Sequence, residues 1–223
     1  MSSSRPLRVA VLVSGRGSNL QALIDARAAG QLPIELVLVA SDKVAAHGLR
    51  RAEAAGIATL ALTPRSHPTR AAFDAELFAR IAASTPDLIV LAGFMRILDG
   101  AVLAPWHGRI INIHPSLLPR YPGLHTHERA LAAGDAEHGS SVHFVTAELD
   151  GGPLLAQVRI PIHAGDTPET LAQRLLPHEH RLLLACVDLI ARGRVELAGG
   201  EVRLDGAALP APLQLPAHGT AFA

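Results

Sequence analysis

Two polar side chains at the end of an apolar segment could cooperate in acyl transfer. Asn112 and His114 lie at the end of the predicted strand 109–113 and are two residues apart, so on a strand they would point to the same side. An amide N–H can polarise a carbonyl group and stabilise the developing oxyanion, while an imidazole moves a proton. Polar pairs at strand ends are more often structural, so this spacing alone makes the pair a candidate.

Asp150 is a third candidate, because it lies in a turn beside Gly151 and Gly152. A carboxylate in such a position commonly stabilises the turn itself. If the fold places Asp150 near His114, its negative charge would favour the imidazolium form and raise the pKa of His114. Which of the two roles applies depends on the tertiary structure.

A glycine-rich loop, Ser14-Gly15-Arg16-Gly17-Ser18-Asn19, could bind an anion. Small residues let a backbone approach a ligand, and the amides at a helix N-terminus can bind phosphate. The loop is not a Walker motif, because no Gly-Lys-Ser/Thr follows, and Leu20 stands where a dinucleotide fingerprint has its third glycine. An anion site is favoured, and a tight turn without a ligand stays open.

Other candidate chemistry has weaker support. The runs His125-Thr126-His127 and His178-Glu179-His180 lack a third partner at zinc spacing, so we predict no metal. Cys186 is the single cysteine and lies in an apolar run, which is typical of a buried thiol. No G-x-S-x-G elbow is present, so serine hydrolase chemistry lacks its usual scaffold.

The elements that must position these groups alternate through the first half of the chain. Apolar strands interleaved with helices are typical of a parallel sheet with crossover helices. The predicted strands are 9–13, 34–40, 58–62, 87–91 and 109–113, and the predicted helices are 20–29, 47–55 and 70–83.

The second half predicts antiparallel strands at one edge of that sheet. Strands at 140–145 and 154–160 flank the Asp150 turn, after a helix at 126–133. A long helix, 168–191, contains Pro177, which should kink or divide it. The expected fold is α/β: one domain, 1–223, with a Rossmann-like, mostly parallel sheet flanked by helices. Its core spans about 8–205, and 206–223 is predicted to be a Pro-containing surface tail.

Composition narrows the class of protein. The chain has 223 residues and 49% hydrophobic content, enough for a full core, and its 20 Lys+Arg balance 20 Asp+Glu. Proteins that bind a nucleic-acid backbone over a broad area normally carry a basic excess, so we predict no nucleic-acid partner. The N-terminus lacks the apolar region of a signal peptide, and no apolar stretch approaches membrane-span length. We therefore expect a cytoplasmic protein without a membrane partner.

Longer segments resemble the phosphoribosylglycinamide formyltransferases of purine synthesis. The similar segments are SGRGSNLQALID (14–25), the SDK after the second strand, LAGFMRIL (91–98) and NIHPSLLPRYPGLHTHERALAAGDAEHGSSVHFVTAELDGGPLLAQ (112–157). They occur in order and extend over roughly 8–205. The N-x-H…D pattern and SLLP are shared with other folate-dependent formyltransferases, whereas the glycine loop, PGLHTH and HGSSVHFVT favour this family.

The resemblance implies residue roles and ligands. Asn112, His114 and Asp150 would be catalytic, with 10-formyltetrahydrofolate as co-substrate and phosphoribosylglycinamide as acceptor. The segment 115–138 would close over the site. The implied acceptor-binding residues are Gly17, Ser18, Asn19 and Glu179. The implied folate-binding residues are Arg70, Met95, Arg96, Ile97, Leu98 and Asn112, together with the segment 145–150, which includes Val145, Thr146 and Asp150. Partners would be these small molecules, with a monomer or weak homodimer.

Two alternatives share the catalytic pattern, and a third belongs to another class. A methionyl-tRNA formyltransferase would need a further C-terminal domain, and a formyl-folate hydrolase would usually carry an extra N-terminal domain. We expect neither, because the predicted strands and helices account for nearly the whole chain. A catalytically silent folate or nucleotide sensor would be expected to lack one of the three catalytic groups, and all three are present.

Overall fold

A computed structural model of the chain describes residues 5–216 and Phe222, and strands and helices alternate along it. The strands are β1 (Leu7–Val13), β2 (Ile34–Ser41), β3 (Thr59–Ala61), β4 (Leu88–Leu91), β5 (Ile110–His114), β6 (Glu137–Phe144), β7 (Leu154–Pro161), β8 (Val195–Ala198), β9 (Glu201–Leu204), β10 (Ala207–Ala208) and β11 (Leu213–Leu215). The helices are α1 (Ser18–Ala28), α2 (His47–Ala54), α3 (Arg70–Ala83), α4 (Gly100–Leu103), α5 (Thr126–Ala132) and α6 (Pro168–Ala191), with two short 3₁₀ turns.

Eight of the strands form one sheet in the order β11-β7-β6-β5-β4-β1-β2-β3. The five neighbouring strands β5, β4, β1, β2 and β3 are parallel to one another. β6 is antiparallel to β5, and β7 is antiparallel to β6. Strands β8 to β10 make a separate small antiparallel sheet. The predicted α/β fold, with a mostly parallel sheet and antiparallel strands added at one edge, is confirmed.

The first strand shows why the parallel strands are apolar throughout. Val11 faces one layer of helices, α1 and α6, and Leu12 faces the opposite layer, where it packs in a cluster with Phe73 and Leu77 of α3. Because successive side chains of a strand point to opposite faces, a strand covered on both sides needs apolar residues at every position. All five residues from Val9 to Val13 are fully buried.

The strand order reverses between β1 and β4, and this determines where a ligand can bind. Chain connections leave β1 towards β2 on one side, while β4 and β5 lie on the other. Open α/β sheets bind ligands at the carboxyl ends of the strands beside such a reversal, because the connecting loops diverge there and leave a crevice. The glycine loop, residues 92–99 and the His114 end of β5 all lie at this edge.

The long helix predicted over 168–191 is present, and of the two effects predicted for Pro177, a kink or a division, the division is wrong. α6 is one helix from Pro168 to Ala191, with Pro177 inside it. An internal proline costs about 3 kcal/mol in an isolated helix, since one backbone hydrogen bond is lost. Here α6 packs against α1, β6 and β7 and buries Leu171 and Leu175 before the proline and Leu182 after it, and this tertiary packing overrides the local cost.

The region predicted as a surface tail contains a strand of the main sheet. Leu213–Leu215 pairs in parallel with β7, and the Leu215 side chain is buried. The strand satisfies backbone groups at what would otherwise be an open sheet edge, and Pro212 and Pro216 flank it where no ladder bond is needed. Of the residues after Pro216, only Phe222 is described. Within the described residues, no helix is both long and apolar enough to cross a membrane.

Candidate active site

The pairing of β5 with β6 places a second histidine beside Asn112. The antiparallel register sets Asn112 opposite His143, and the Asn112 amide Nδ2 lies 3.2 Å from His143 Nε2. His143 Nδ1 is 3.0 Å from the backbone oxygen of Phe144, a carbonyl that can only accept, so Nδ1 carries a proton. His143 Nε2 faces Asp150 Oδ1 at 3.7 Å and is also hydrogen-bonded to the Asn112 amide. This bond orients the amide of Asn112 towards the site.

Asp150 reaches the pair from the turn between β6 and β7. Its backbone adopts the left-handed conformation, with φ of 51°, which Asp and Asn tolerate better than most residues. The following turn needs glycine, because a Cβ at Gly152 would lie 1.8 Å from the Phe144 carbonyl oxygen. The carboxylate of Asp150 lies 3.5 Å from His114 Nδ1 and accepts from Asn112 Nδ2 at 3.4 Å. The tertiary structure therefore brings the three predicted catalytic residues together.

Asp150 is held in its ionised form although it is buried. Burial alone would raise the pKa of this carboxyl, but the neighbouring His143 imidazole, the backbone N–H of Gly123 and the charge of His114 together lower it. The Gly123 amide donates to Asp150 Oδ2 at 2.8 Å. A negative charge therefore faces His114 at neutral pH.

The net pKa of His114 is nevertheless lowered, although Asp150 raises it as expected. Burial is the largest cause, and the backbone carbonyl of Tyr121 and the carboxylate of Asp150 offset it in part. His114 Nε2 lies 2.9 Å from that carbonyl oxygen, which accepts its proton. Asp150 thus limits a loss of basicity that burial imposes, and the imidazolium form depends on it.

The segment 115–125 folds over the site and contributes backbone groups to it. Tyr121, in the left-handed conformation, directs its carbonyl to His114, and Gly123 directs its amide to Asp150. The segment is anchored by Ser116, which donates to the Arg120 carbonyl, and by Gln157, which donates to the Leu118 carbonyl. Sequence reasoning missed these backbone contacts because they leave no residue signature. The signal that could have identified His143 is the alternation of polar and apolar residues in Ser141-Val142-His143-Phe144, which puts His143 on the same face of β6 as Ser141.

A cavity of about 480 Å³ opens in front of these residues, within the usual range for small-molecule sites. Its wall includes two strongly exposed apolar side chains, Met95 at 64% and Ile97 at 52%. Exposed large apolar groups beside a concave site are typical of a ligand surface. Of the predicted folate-binding residues, those that line the cavity are Met95, Arg96, Ile97, Leu98, Asn112, Val145, Thr146 and Asp150. Arg70 is not among the lining residues and lies at the start of α3.

The predicted acceptor-binding residues reach the same cavity from its other end. Asn19 and Glu179 line it, and Ser140 donates to Glu179 Oε1 at 2.9 Å. Burial raises the pKa of Glu179, and hydrogen bonds from Ser140 and Asn19 oppose that shift. Gly17 and Ser18 immediately precede Asn19 at the start of α1, although they do not line the cavity.

The glycine loop has its own steric requirement. Gly17 begins α1 with a positive φ of 69°, and a Cβ there would lie 2.7 Å from the Cα of Gly48. Gly48 in turn donates its amide to the Gly15 carbonyl at 3.0 Å. No side chain caps the first amides of α1, as an anion site requires.

The histidines of the run 125–127, considered as metal ligands, have other partners. His127 Nδ1 lies 2.8 Å from His138 Nε2, and His125 pairs with Glu128. Within residues 5–216 and Phe222, no cluster of three or more His, Cys, Asp or Glu side chains could hold a metal ion. Cys186 is fully buried, and burial raises the pKa of its thiol well above the ordinary value.

Comparison with known proteins gives concordant similarities. The family described as formyl transferase matches residues 7–187. Phosphoribosylglycinamide formyltransferase of Escherichia coli K12 is 48% identical over 204 residues, which cover 92% of this chain and 96% of that protein. The structure of phosphoribosylglycinamide formyltransferase from Coxiella burnetii superposes with a TM-score of 0.91 at 47% identity, covering 95% of this chain and all of that one. A formyltetrahydrofolate deformylase from Burkholderia mallei is 28% identical, with a TM-score of 0.81, and this chain covers 70% of it.

Proposed function

The chain belongs to the formyl transferase family, and from this premise we propose that it transfers the formyl group of 10-formyltetrahydrofolate to the amine of phosphoribosylglycinamide. It is a one-carbon transferase of purine synthesis, and its products are N-formylglycinamide ribonucleotide and tetrahydrofolate. The observation that carries the assignment is the convergence of Asn112, His114 and Asp150 on a cavity of small-molecule size, in a chain 48% identical to the Escherichia coli phosphoribosylglycinamide formyltransferase over 96% of that protein.

We propose that Asn112 and His114 stabilise the tetrahedral intermediate. The amine nitrogen attacks the formyl carbon, and the carbonyl oxygen becomes an oxyanion that needs N–H donors. Asn112 Nδ2 can supply one by giving up its long bond to Asp150, which at 3.4 Å is the weaker of its two contacts. His114 can supply the other from Nε2 when the Tyr121 carbonyl gives way to the substrate oxygen. The bond from the formyl carbon to N10 then breaks.

We propose that Asp150 stabilises the protonated form of His114 and takes part in proton transfer. The attacking amine must lose a proton, and N10 of tetrahydrofolate must gain one as the carbon–nitrogen bond breaks. A carboxylate that stays ionised while facing His114 stabilises the imidazolium, which stabilises the oxyanion. The transferred proton can pass through the same pair, because both groups lie at one end of the cavity.

The two ligands are assigned to opposite parts of the cavity. We assign the phosphate of the acceptor to the amides of Gly17, Ser18 and Asn19, and its ribose to Glu179, a partly buried carboxyl oriented by Ser140. The pterin is assigned to the wall 95–98 and the segment 145–150, where apolar side chains and backbone groups alternate. The folate assignment of Arg70 is proposed through the outer part of the ligand, because Arg70 lies outside the cavity lining.

The assay of folate product with and without phosphoribosylglycinamide tests the function. Product that forms only with the acceptor supports amine formylation. Product that forms without it would mean that water is the acceptor, as in the deformylase relative, and would overturn the proposal. If no product forms either with or without phosphoribosylglycinamide, a silent sensor would be favoured, although all three catalytic groups are in contact.

We also propose that the enzyme works in the cytoplasm as a monomer or weak homodimer, with small molecules as its only partners and no metal. The balance of 20 basic and 20 acidic residues supports the absence of a nucleic-acid partner. Light scattering over a range of protein concentrations tests the oligomeric state, and exhaustive chelation followed by the same folate assay tests the metal.

A further inference from the structure

Ser14 makes three hydrogen bonds that join three parts of the sheet edge. Its backbone N–H donates to the Gly93 carbonyl at 3.0 Å, and its hydroxyl accepts from the Met95 amide at 2.9 Å. The hydroxyl proton is donated to Asp42 Oδ1 at 2.6 Å. Ser14 and Asp42 are both buried, so water does not compete for these bonds.

Asp42 determines the direction of the Ser14 hydroxyl. A carboxylate oxygen can only accept, so the single hydroxyl proton must point to Asp42, and the oxygen lone pairs of Ser14 are left for the Met95 amide. Asp42 belongs to the Ser41-Asp42-Lys43 run at the end of β2, which the proposed reaction does not otherwise use. A charge-assisted bond of this kind is short and strong.

The two segments that Ser14 connects belong to different ligands. Ser14 begins the glycine loop, which leads directly to the amides assigned to the acceptor phosphate. Met95 begins the wall assigned to the pterin, and both segments extend from neighbouring parallel strands, β1 and β4. The position of the Ser14 hydroxyl therefore depends on both the glycine loop and the wall 95–98, and the position of each of these segments depends on Ser14.

We propose that Ser14, oriented by Asp42, is a positioning residue that couples acceptor binding at the glycine loop to folate binding at the wall 95–98. The inference rests on the proposed function, because that function supplies the identities of the two ligands. Phosphate binding at the start of α1 restrains the glycine loop and with it the Ser14 hydroxyl. The Met95 amide then has a fixed partner, and folate meets a wall that is already ordered, so less conformational entropy is lost when it binds.

The opposite end of the wall offers a matched control. The Asp99 amide donates to Asp74 Oδ2 at 3.0 Å, and Asp74 is a fully buried residue of α3. Asp74 therefore also holds a backbone amide next to the wall 95–98. Unlike Ser14, it is not part of the glycine loop and does not connect that loop to the wall. Loss of Asp74 should weaken folate binding directly, without altering its dependence on the acceptor.

Calorimetry with tetrahydrofolate, alone and with saturating phosphoribosylglycinamide, measures the coupling as a ratio of dissociation constants. For the wild-type chain we expect a ratio of about fivefold or more, the usual lower range for coupled sites. Ser14→Ala should bring the ratio towards unity, and Ser14→Thr, which keeps the hydroxyl, should restore it. Asp42→Asn keeps an acceptor and should retain the ratio, whereas Asp42→Ala should lose it. Asp74→Ala should raise both dissociation constants and leave their ratio unchanged.

Several outcomes would overturn the inference. A ratio that survives in Ser14→Ala, or that is lost equally in Asp74→Ala, would show that Ser14 does not carry the coupling. If the buried variants fail to fold, hydrogen exchange of the wild-type Met95 amide decides, because acceptor binding should slow it and an unchanged rate refutes the idea. A wild-type chain that binds both ligands without coupling overturns this inference alone. One that binds neither overturns the proposed function and the inference with it.

Discussion

Replacement of Asp150 by asparagine removes the charge beside His114 and changes little else. The asparagine side chain has the same shape, tolerates the same left-handed backbone with φ of 51°, and keeps an oxygen for the Gly123 amide. We therefore expect the Asp150→Asn chain to fold normally. Its contacts with Asn112 and His143 would change from charged to neutral ones, while the positions of all four side chains would stay close to those of the wild type.

The expected loss of activity follows from the pKa of His114. Burial already lowers that pKa, and the carboxylate of Asp150, 3.5 Å from Nδ1, is one of the two groups that oppose the shift. A close opposite charge is worth about one to three pKa units. Its removal at a pH above the pKa of His114 lowers the imidazolium fraction by the same powers of ten. Turnover should therefore fall by about 10-fold to 1,000-fold.

The pH dependence provides a signature that a folding defect would not produce. As pH falls towards the new pKa of His114, the variant recovers imidazolium, so the ratio of wild-type to variant turnover should shrink. The spectrophotometric folate assay, run from alkaline to mildly acidic pH with phosphoribosylglycinamide at saturation, measures that ratio. Asp205→Asn is the matched control. Asp205 also has φ of 51° and is paired with Arg194 at the end of the small sheet, so the turnover of this variant should equal that of the wild type.

Two results would refute the reasoning. Near-normal turnover of Asp150→Asn would mean that the charge is not needed for the reaction. A reduced turnover whose ratio to the wild type is the same at every pH would mean that Asp150 acts through some route other than the protonation of His114.

Three further predictions concern the loop, the buried histidines and the acceptor site. A positive φ costs an alanine about 1–2 kcal/mol, and Gly17→Ala should destabilise the fold by more than this, because its Cβ would also clash with Gly48. The control Gly30→Ala, with φ of 70° and open space around it, should show only the conformational cost; urea unfolding measures both. Burial lowers the pKa of His138 from its ordinary 6.5 to about 4. Between these two pH values His138 is protonated in the unfolded chain but not in the folded one. The free energy of unfolding should therefore decrease as the pH falls through this window, by at most about 3 kcal/mol. His138→Gln should flatten this part of a stability profile measured by denaturant unfolding at several pH values; an unchanged slope would contradict the assignment. Glu179→Gln should weaken phosphoribosylglycinamide binding in calorimetry and leave tetrahydrofolate binding alone, and an equal effect on both would place Glu179 outside the acceptor site.

The elements of the parallel half could be predicted because their signals are local. An apolar β-branched run such as Val9–Val13 is typical of a strand covered on both faces, and Arg70–Ala83 was predicted to the residue from the spacing of its apolar face. Features that depend on distant partners were misjudged, although the bounds of α6 were predicted correctly. Pro177 stays inside α6 because packing on both sides outweighs the local cost, and Leu213–Leu215 is a strand because β7 offers an edge.

The site divides in the same way, since the chemical type of a residue is local and its proximity to another is not. By itself the sequence determined which groups could act: an amide and an imidazole on one side of a strand, a carboxylate in a glycine turn, and small residues before a helix. The tertiary structure alone decided that Asp150, 38 residues from Asn112, lies within reach of it, that His143 stands opposite in the register, and that Tyr121 and Gly123 present backbone groups. It also decided the pKa of His114, because burial depends on every element packed around the side chain and outweighs the one charge that the sequence could suggest.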